Sequence, residues 1–339
     1  MFVETPAGFE TRPATLQDLE AVVALINAAA LADIGMKRTT HEERLTEWTL
    51  PQFNLNTDTR LVYAPNGRLA GYVELWDGEP HVRFYQFGRV HPDFRGRGIG
   101  GFLLDWAKAR ARQSLPLAPA EARVSFHTSA PQQDQAAHRL FESRGLAASR
   151  YFFHMLIEMP PDVPPPAPQP PPGVNIRPLM LNHDERAVHR TLDTAFQDHW
   201  GYVAGESFEE WMHWIEMDST FDPDTCFVAA VDGSDGGQCV GAIMTHPQFE
   251  GDPSIAWVDD LGVLRPWRRK GLALALLYSV FAAYFQRGKY RVGLGVDAQS
   301  LTGALGLYEK AGMRILQRID AYAKTLRPGV DLSVQSLEA

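Results

Sequence analysis

A chain of 339 residues, 45% apolar and 22% charged, has the composition of a globular protein with room for two cores, which excludes wholesale disorder. Its net charge of −9 disfavours a nucleic-acid partner, whose binding needs a basic face, and suits a cationic or small-molecule substrate better. The two cysteines, Cys226 and Cys239, fit neither a zinc knuckle nor a disulfide framework, so no metal is expected and a reducing cytoplasm is the simplest setting.

In chain order, residues 1–10 lack the basic start and the apolar run of a secretory signal. Residues 9–13 read as a short strand. Thr15 with Asp18 then caps a helix whose Leu19, Val22, Val23, Leu25 and Ile26 recur at helical spacing. Thr39 with Glu42 opens a second helix through Leu45 and Trp48. Strands at 61–63 and 69–75 flank an Asn66-Gly67 turn, and a longer strand covers 82–90. A basic, glycine-rich turn leads into a helix over 98–112, followed by a strand at 123–127, a helix at 135–143 and strand-like residues at 147–159. The order is βααβββαβαβ.

Residues 160–173, nine of them proline, cannot supply the backbone donors of a helix or sheet and read as a stiff spacer at the domain boundary. Beyond it the same order returns: a strand at 174–177, a helix at 182–196, and a second helix capped by Ser207 with Glu210 and carrying Trp211 and Trp214. A hairpin at 226–231 and 239–244 turns around 232–237, and a strand at 255–264 enters a second basic turn. The helix after it, 272–285, is too short to cross a bilayer, which takes about 20 residues, and reads as buried. A strand at 291–296, a helix at 301–310 and a strand at 313–326 complete the half. Arg12-Pro13 pairs with Arg177-Pro178, Gly98 with Gly271 and Gly145 with Gly312, so the chain is a duplication at an offset of 165 to 173 residues.

Both basic turns place a strand before, and a helix after, a loop that can hold phosphate. A helix start has N–H groups without intrahelical partners and a partial positive charge, and glycine lets an anion approach the backbone. Residues 96–101 satisfy G-x-G-x-x-G, but that dinucleotide fingerprint belongs to the first strand and helix of a βαβ fold, whereas two helices and three strands come earlier here. No Gly-Lys-Ser/Thr follows either strand, which excludes a Walker loop. The two turns share Arg-x-x-Gly-x-Gly/Ala: Arg95, Gly98 and Gly100 in the first half, Arg268, Gly271 and Ala273 in the second.

This pattern, in the same place within two βααβββαβαβ halves, resembles motif A of the GNAT superfamily of acyl-CoA-dependent N-acetyltransferases, and the tandem layout is similar to that of the mycothiol synthase family. The resemblance implies an α/β fold of the α+β, mixed-sheet kind: two tandem GNAT-like acyl-CoA-binding domains, 1–159 and 174–339, joined by the Pro-rich linker 160–173. It implies acetyl-CoA as cosubstrate, held by Val90, Arg95, Gly96, Arg97, Gly98, Ile99 and Gly100 in the first half and by Val263, Arg268, Arg269, Lys270, Gly271, Leu272 and Ala273 in the second. It also implies that the fourth strand parts from the fifth to leave a cleft for the thioester.

Acetyl transfer to an amine needs a group to take the amine's proton and a group to stabilise the departing thiolate. Counting back from the aligned turns pairs Asp259 and Asp260 with Gln86 and Phe87, so only the second half carries carboxylates there. Strand alternation sends Asp259 and Asp260 to opposite faces, which leaves open which of them is the base; Asp297, after the fifth strand, is a further polar candidate. In the superfamily a tyrosine in the following helix serves as acid, and Leu307-Tyr308-Glu309 matches its pattern where the first half has Leu140-Phe141-Glu142. Tyr308 is therefore the candidate acid, and Phe141 keeps the packing without the hydroxyl. The aromatics of 196–214 either wall an acceptor site or belong to the core.

The reading is a cytoplasmic N-acetyltransferase acting on a primary amine of a small molecule or peptide by direct attack, with the second half catalytic and the first non-catalytic. It has no nucleic-acid or membrane partner, and a homodimer stays open. The alternative is a non-catalytic CoA-binding regulatory or scaffold protein.

Overall fold

The repeated Arg-Pro pairs mark a clamp that each half builds between its first strand and first helix. In the computed structural model, which describes residues 4–231 and 237–336, Arg12 donates to both carboxylate oxygens of Asp18 at 2.7 and 2.5 Å and to the Pro13 carbonyl at 2.9 Å. Arg177 does the same with Asp184, at 2.5 and 2.8 Å, and with the Pro178 carbonyl at 3.1 Å. Both aspartates are buried, and paired donors of this kind are the strong form of the contact.

In the first unit, Glu10–Arg12 (β1), Thr59–Tyr63 (β2), Leu69–Asp77 (β3) and Arg83–Val90 (β4) pair in succession as an antiparallel sheet. Val124–Pro131 (β5) then runs parallel to β4. Leu19–Ile34 (α1), His41–Trp48 (α2) and the short Leu55–Asp58 (α3), which the sequence reading lacked, join β1 to β2. Ile99–Gln113 (α4) lies between β4 and β5, and Gln135–Ser143 (α5) follows β5. Helix α4 sits so close to β3 that a Cβ on Gly71 would come within 2.7 Å of Ile99 and 3.1 Å of Leu103.

In the second unit, Ala147–Glu158 (β6) pairs antiparallel with Arg291–Asp297 (β11), which runs parallel to Ile255–Val263 (β10). Gln238–His246 (β9), Phe227–Val231 (β8) and Val174–Pro178 (β7) continue the sheet. The tip of the β8–β9 hairpin expected at 232–237 lies outside the described residues save for Gly237. One sheet face is covered by Leu272–Gln286 (α8) and Ala304–Lys310 (α9): Leu272, Leu276, Val280 and Phe281 pack on Ile243, Ala256, Val258, Val292 and Leu294. Glu185–Phe196 (α6) and Phe208–Met217 (α7) cover the other, with Val188, Leu192 and Trp211 against Val228, Ala242 and Met244. Trp211 is thus a core residue. Among the described residues no helix is long and apolar enough to cross a membrane.

The compact units differ from the two halves drawn at the proline-rich segment. The first comprises residues 1–150 with 319–332, and the second 151–318 with 333–339. The last strand of the chain, Arg314–Arg327 (β12), pairs with β5 from Ile319↔Pro131 to Arg327↔Val124, and β6 pairs with β11. Each half's final strand therefore completes the sheet of the other unit, and residues 160–173 fall within the second. A strand needs a hydrogen-bonding edge, and alternation along it cannot say whose edge it meets.

Candidate functional site

The two glycine turns adopt one backbone. Gly98 (φ 80°) and Gly271 (φ 86°) are the left-handed N-caps of α4 and α8, and two residues earlier Gly96 (φ 75°) and Arg269 (φ 60°) are also left-handed. Arg269 accepts strain there that glycine avoids. The first intrahelical bonds run from Phe102 N to Gly98 O and from Ala275 N to Gly271 O, at 3.1 and 3.0 Å, so the amides before them lack helical acceptors. A Cβ added at Gly96, Gly98 or Gly271 would meet no atom within 4 Å among the described residues. An open surface above unsatisfied amides at a helix start fits a pyrophosphate.

Two of the motif arginines are paired within the chain. Arg268 donates to the Val263 carbonyl at 2.8 Å, to the Ala195 carbonyl at 3.2 Å and to Asp198, which also accepts from Arg265 at 2.9 Å. Arg95 makes a bidentate pair with Asp33 at 2.8 and 2.9 Å. Both guanidinium groups tie the turn to the end of the unit's first long helix. Ile99 and Leu272 point their side chains into the cores at 1% exposure, and Val263 is likewise buried. What remains for an anion is the backbone of the turns, with the side chains of Arg97, Arg269 and Lys270; Lys270 lies 4.8 Å over the Trp267 ring.

The fourth strand does part from the fifth. Strand β10 pairs with β11 only from Ile255↔Arg291 to Val258↔Leu294, and β4 with β5 only from Arg83↔Ser125 to Tyr85↔His127. Beyond those points the edges separate toward the turns. At the point of parting in the second unit, the β9–β10 register shifts between Val258 and Asp260. This bulge inserts one residue and cancels the alternation, so Asp259 and Asp260 share a face instead of taking opposite ones. His246 on β9 contacts Asp259 through Nδ1 at 2.5 Å and Asp218, just after α7, through Nε2 at 3.0 Å. Burial opposes a charge on that ring, but the two carboxylates prevail and hold it protonated, to about pH 10.

Asp260 makes no side-chain hydrogen bond or ion pair among the described residues. Recessed in the cleft yet reachable by solvent, its carboxyl is pushed up to about 7, first by burial and then by Asp259 and Glu206. Tyr308 on α9 is 8% exposed, its hydroxyl has no partner among the described residues, and burial pushes the phenol up to about 12. Asp297 accepts from Gln299 N at 2.9 Å, which makes it a turn cap at the end of β11. His246, Asp218 and Glu206 escaped the sequence reading; the one available signal was the β9–β10 hairpin, which sets His246 opposite Trp257.

The first unit solves the same rung another way. Asp260 faces Met244 across β9–β10, and its counterpart Phe87 faces Glu74 across β3–β4, so the carboxylate has moved to the neighbouring strand. Glu74 is 2% exposed and saturated: Arg44 Nη1 lies 2.9 Å from both its oxygens, Trp76 Nε1 donates at 3.2 Å, and the Tyr72 hydroxyl donates as well. Arg44 and Arg89 cover the Phe87 ring, 5.4 and 4.3 Å from its centroid. Phe141 is buried where Tyr308 stands in the other unit; the Tyr322 ring lies 5.3 Å away, with its hydroxyl 3.3 Å from Glu142 Oε1.

Comparison with known proteins agrees with this geometry. The profile of the acetyltransferase (GNAT) family matches residues 26–146 and 186–313, one copy in each half. The chain is 33% identical over 301 residues to a mycothiol acetyltransferase of Thermobispora bispora, covering 87% of this chain and 92% of that protein. It is 30% identical over 296 residues to the mycothiol acetyltransferase of Geodermatophilus obscurus, covering 86% and 89%. Among solved structures, a GCN5-related N-acetyltransferase from Sphaerobacter thermophilus superposes with a TM-score of 0.77 at 34% identity, covering 97% of this chain and 99% of that one. A tandem GNAT protein from the clavulanic acid biosynthesis pathway shares the fold, with a TM-score of 0.65 at 17% identity over 95% and 100% of the chains. Two family matches and relatives of this coverage establish that the chain belongs to the GNAT acetyltransferase family, as a tandem N-acetyltransferase.

Proposed function

We propose that the second unit transfers acetyl from acetyl-CoA to the primary amine of a small molecule, and that the first unit binds CoA without turning over. The observation that carries this reading is the Asp260 carboxylate, without a partner among the described residues, at the point where β10 and β11 part. The bound cosubstrate supplies an acetyl thioester, and everything else is asked of this chain. The amides of 269–273 at the start of α8 would hold the pyrophosphate. Asp260, titrating near neutrality, takes the proton that the amine loses as it attacks, the range in which a general base works best. Tyr308, protonated throughout the neutral range, donates a hydrogen bond to the developing thiolate. In the first unit the corresponding carboxylate, Glu74, is already neutralised by Arg44, and Phe141 has no proton to offer.

The setting we propose is the cytoplasm, and a homodimer is compatible with the reading. The test is free-thiol release from acetyl-CoA over an amine panel that includes desacetyl-mycothiol, after the name of the relatives. Acceptor-dependent release is expected. Asp260→Asn should lower kcat/KM by about 10²–10⁴-fold, and Tyr308→Phe should lower kcat with little change in acetyl-CoA affinity. Full activity in Asp260→Asn under conditions where chemistry limits turnover would remove the base from this mechanism.

A further inference from the structure

The bulge that turns Asp259 toward Asp260 creates a difficulty: two adjacent carboxylates on one face repel, and an anionic pair would not leave one of them free to act alone. The difficulty is met by His246. Its two ring nitrogens face two carboxylates: Nδ1 is hydrogen-bonded to Asp259 at 2.5 Å, and Nε2 lies 3.0 Å from Asp218 Oδ2 as an ion-pair contact, an arrangement that favours the charged imidazolium. Asp218 is itself fixed, accepting from Thr220 N at 2.8 Å and from the Thr220 hydroxyl at 2.6 Å in the loop after α7. The charged groups around the ring are Asp218 from that loop and Asp259 and Asp260 from β10, with Glu206, in the loop before α7, bearing on Asp260 in turn.

We infer that His246 is a positioning residue for the transfer reaction: clamped between Asp218 and Asp259, it neutralises the bulged Asp259 and leaves the neighbouring Asp260 to accept the amine's proton. The ring carries a proton on each nitrogen, so it cannot itself be the base. Its charge lowers the proton affinity of Asp260, against the burial and the two carboxylates that raise it. The role rests on Asp260 being the base, and the experiment separates the two claims.

His246→Gln keeps a hydrogen-bonding side chain and removes the charge. The acid limb of the kcat/KM profile, measured with acetyl-CoA and the best amine of the panel, should move about one unit to higher pH, with the alkaline plateau largely retained; below the limb this is a loss of about tenfold. Asp218→Asn, which removes a negative charge and leaves the ring paired with Asp259, should leave the limb in place or move it slightly to lower pH. Carboxyl carbon NMR of protein labelled at aspartate reads the same shift without any acceptor, the Asp260 signal being the one lost in Asp260→Asn. Nitrogen NMR of the wild-type His246 ring should find both nitrogens protonated at pH 8. A limb and an Asp260 titration that stay in place in folded His246→Gln, or an equal loss of activity at every pH, would overturn the positioning role. A limb that survives Asp260→Asn would sink the assignment of the base, while the NMR titrations would still decide what His246 does to its neighbours.

Discussion

Replacing Arg44 by methionine strands the buried Glu74 carboxylate of the first unit. Arg44 and Glu74 are 5% and 2% exposed, and Arg44 Nη1 lies 2.9 Å from both carboxylate oxygens, with Glu47 as a second acidic neighbour. Methionine keeps most of the volume over Phe87, so the change removes charge more than packing. Glu74 is then left with only the Tyr72 and Trp76 donors, and breaking a buried pair from one side costs about 3–5 kcal/mol. For a unit of this size, about 2–4 °C of Tm per kcal/mol predicts a fall on the order of 10 °C in the first unit's calorimetric transition. Adding Glu74→Leu should recover most of that loss, because replacing both partners by apolar side chains removes the stranded charge. Acetyl transfer by the second unit should continue below the transition. The reasoning fails if Arg44→Met changes stability by less than about 0.5 kcal/mol, or if the two substitutions simply add.

Glutamate at Gly271 would bring a negative charge to an open, left-handed turn where nothing obstructs a side chain. Gly271→Glu should abolish acetyl-CoA turnover while Gly271→Ala retains much of it, and Gly98→Glu should leave transfer intact; the reverse pattern in folded protein would reassign the two units. Asp184, despite burial, is held at about 2 by Arg177 and His183, and Asp198 at about 2 by Arg265 and then Arg268. Both folded values lie below the ordinary carboxylate range, so their contribution to stability is present above about pH 4 and is lost as the pH falls toward 2. Denaturant titrations of Asp198→Asn over that range should be less steep in pH than those of the parent.

The duplication, the helix periodicities and both glycine turns were legible because each depends on residues close together in the chain, or on a count without gaps between the aligned turns. Tyr308 against Phe141, and Asp260 against Phe87, came from the same counting. The fates of Arg95 and Arg268 were not legible, since a guanidinium beside a phosphate-binding turn has the same spelling whether it faces an anion or the end of the unit's own helix. Nor was the bulge at Asp259, which depends on pairing with β9 and reverses what alternation predicts. His246 and Asp218 lie 13 and 41 residues before Asp259, too far for any local pattern to join them. By itself, then, the order of residues determined which elements form and where the turns and candidate acids lie. The tertiary structure decided that β6 and β12 each join the unit built on the other half of the chain, that Arg44 pairs with Glu74, and that Asp260 is left unpaired among the described residues. Local steric and hydrogen-bonding rules set the first group, whereas edge pairing and the balance of buried charges depend on which distant groups are brought within a few ångströms.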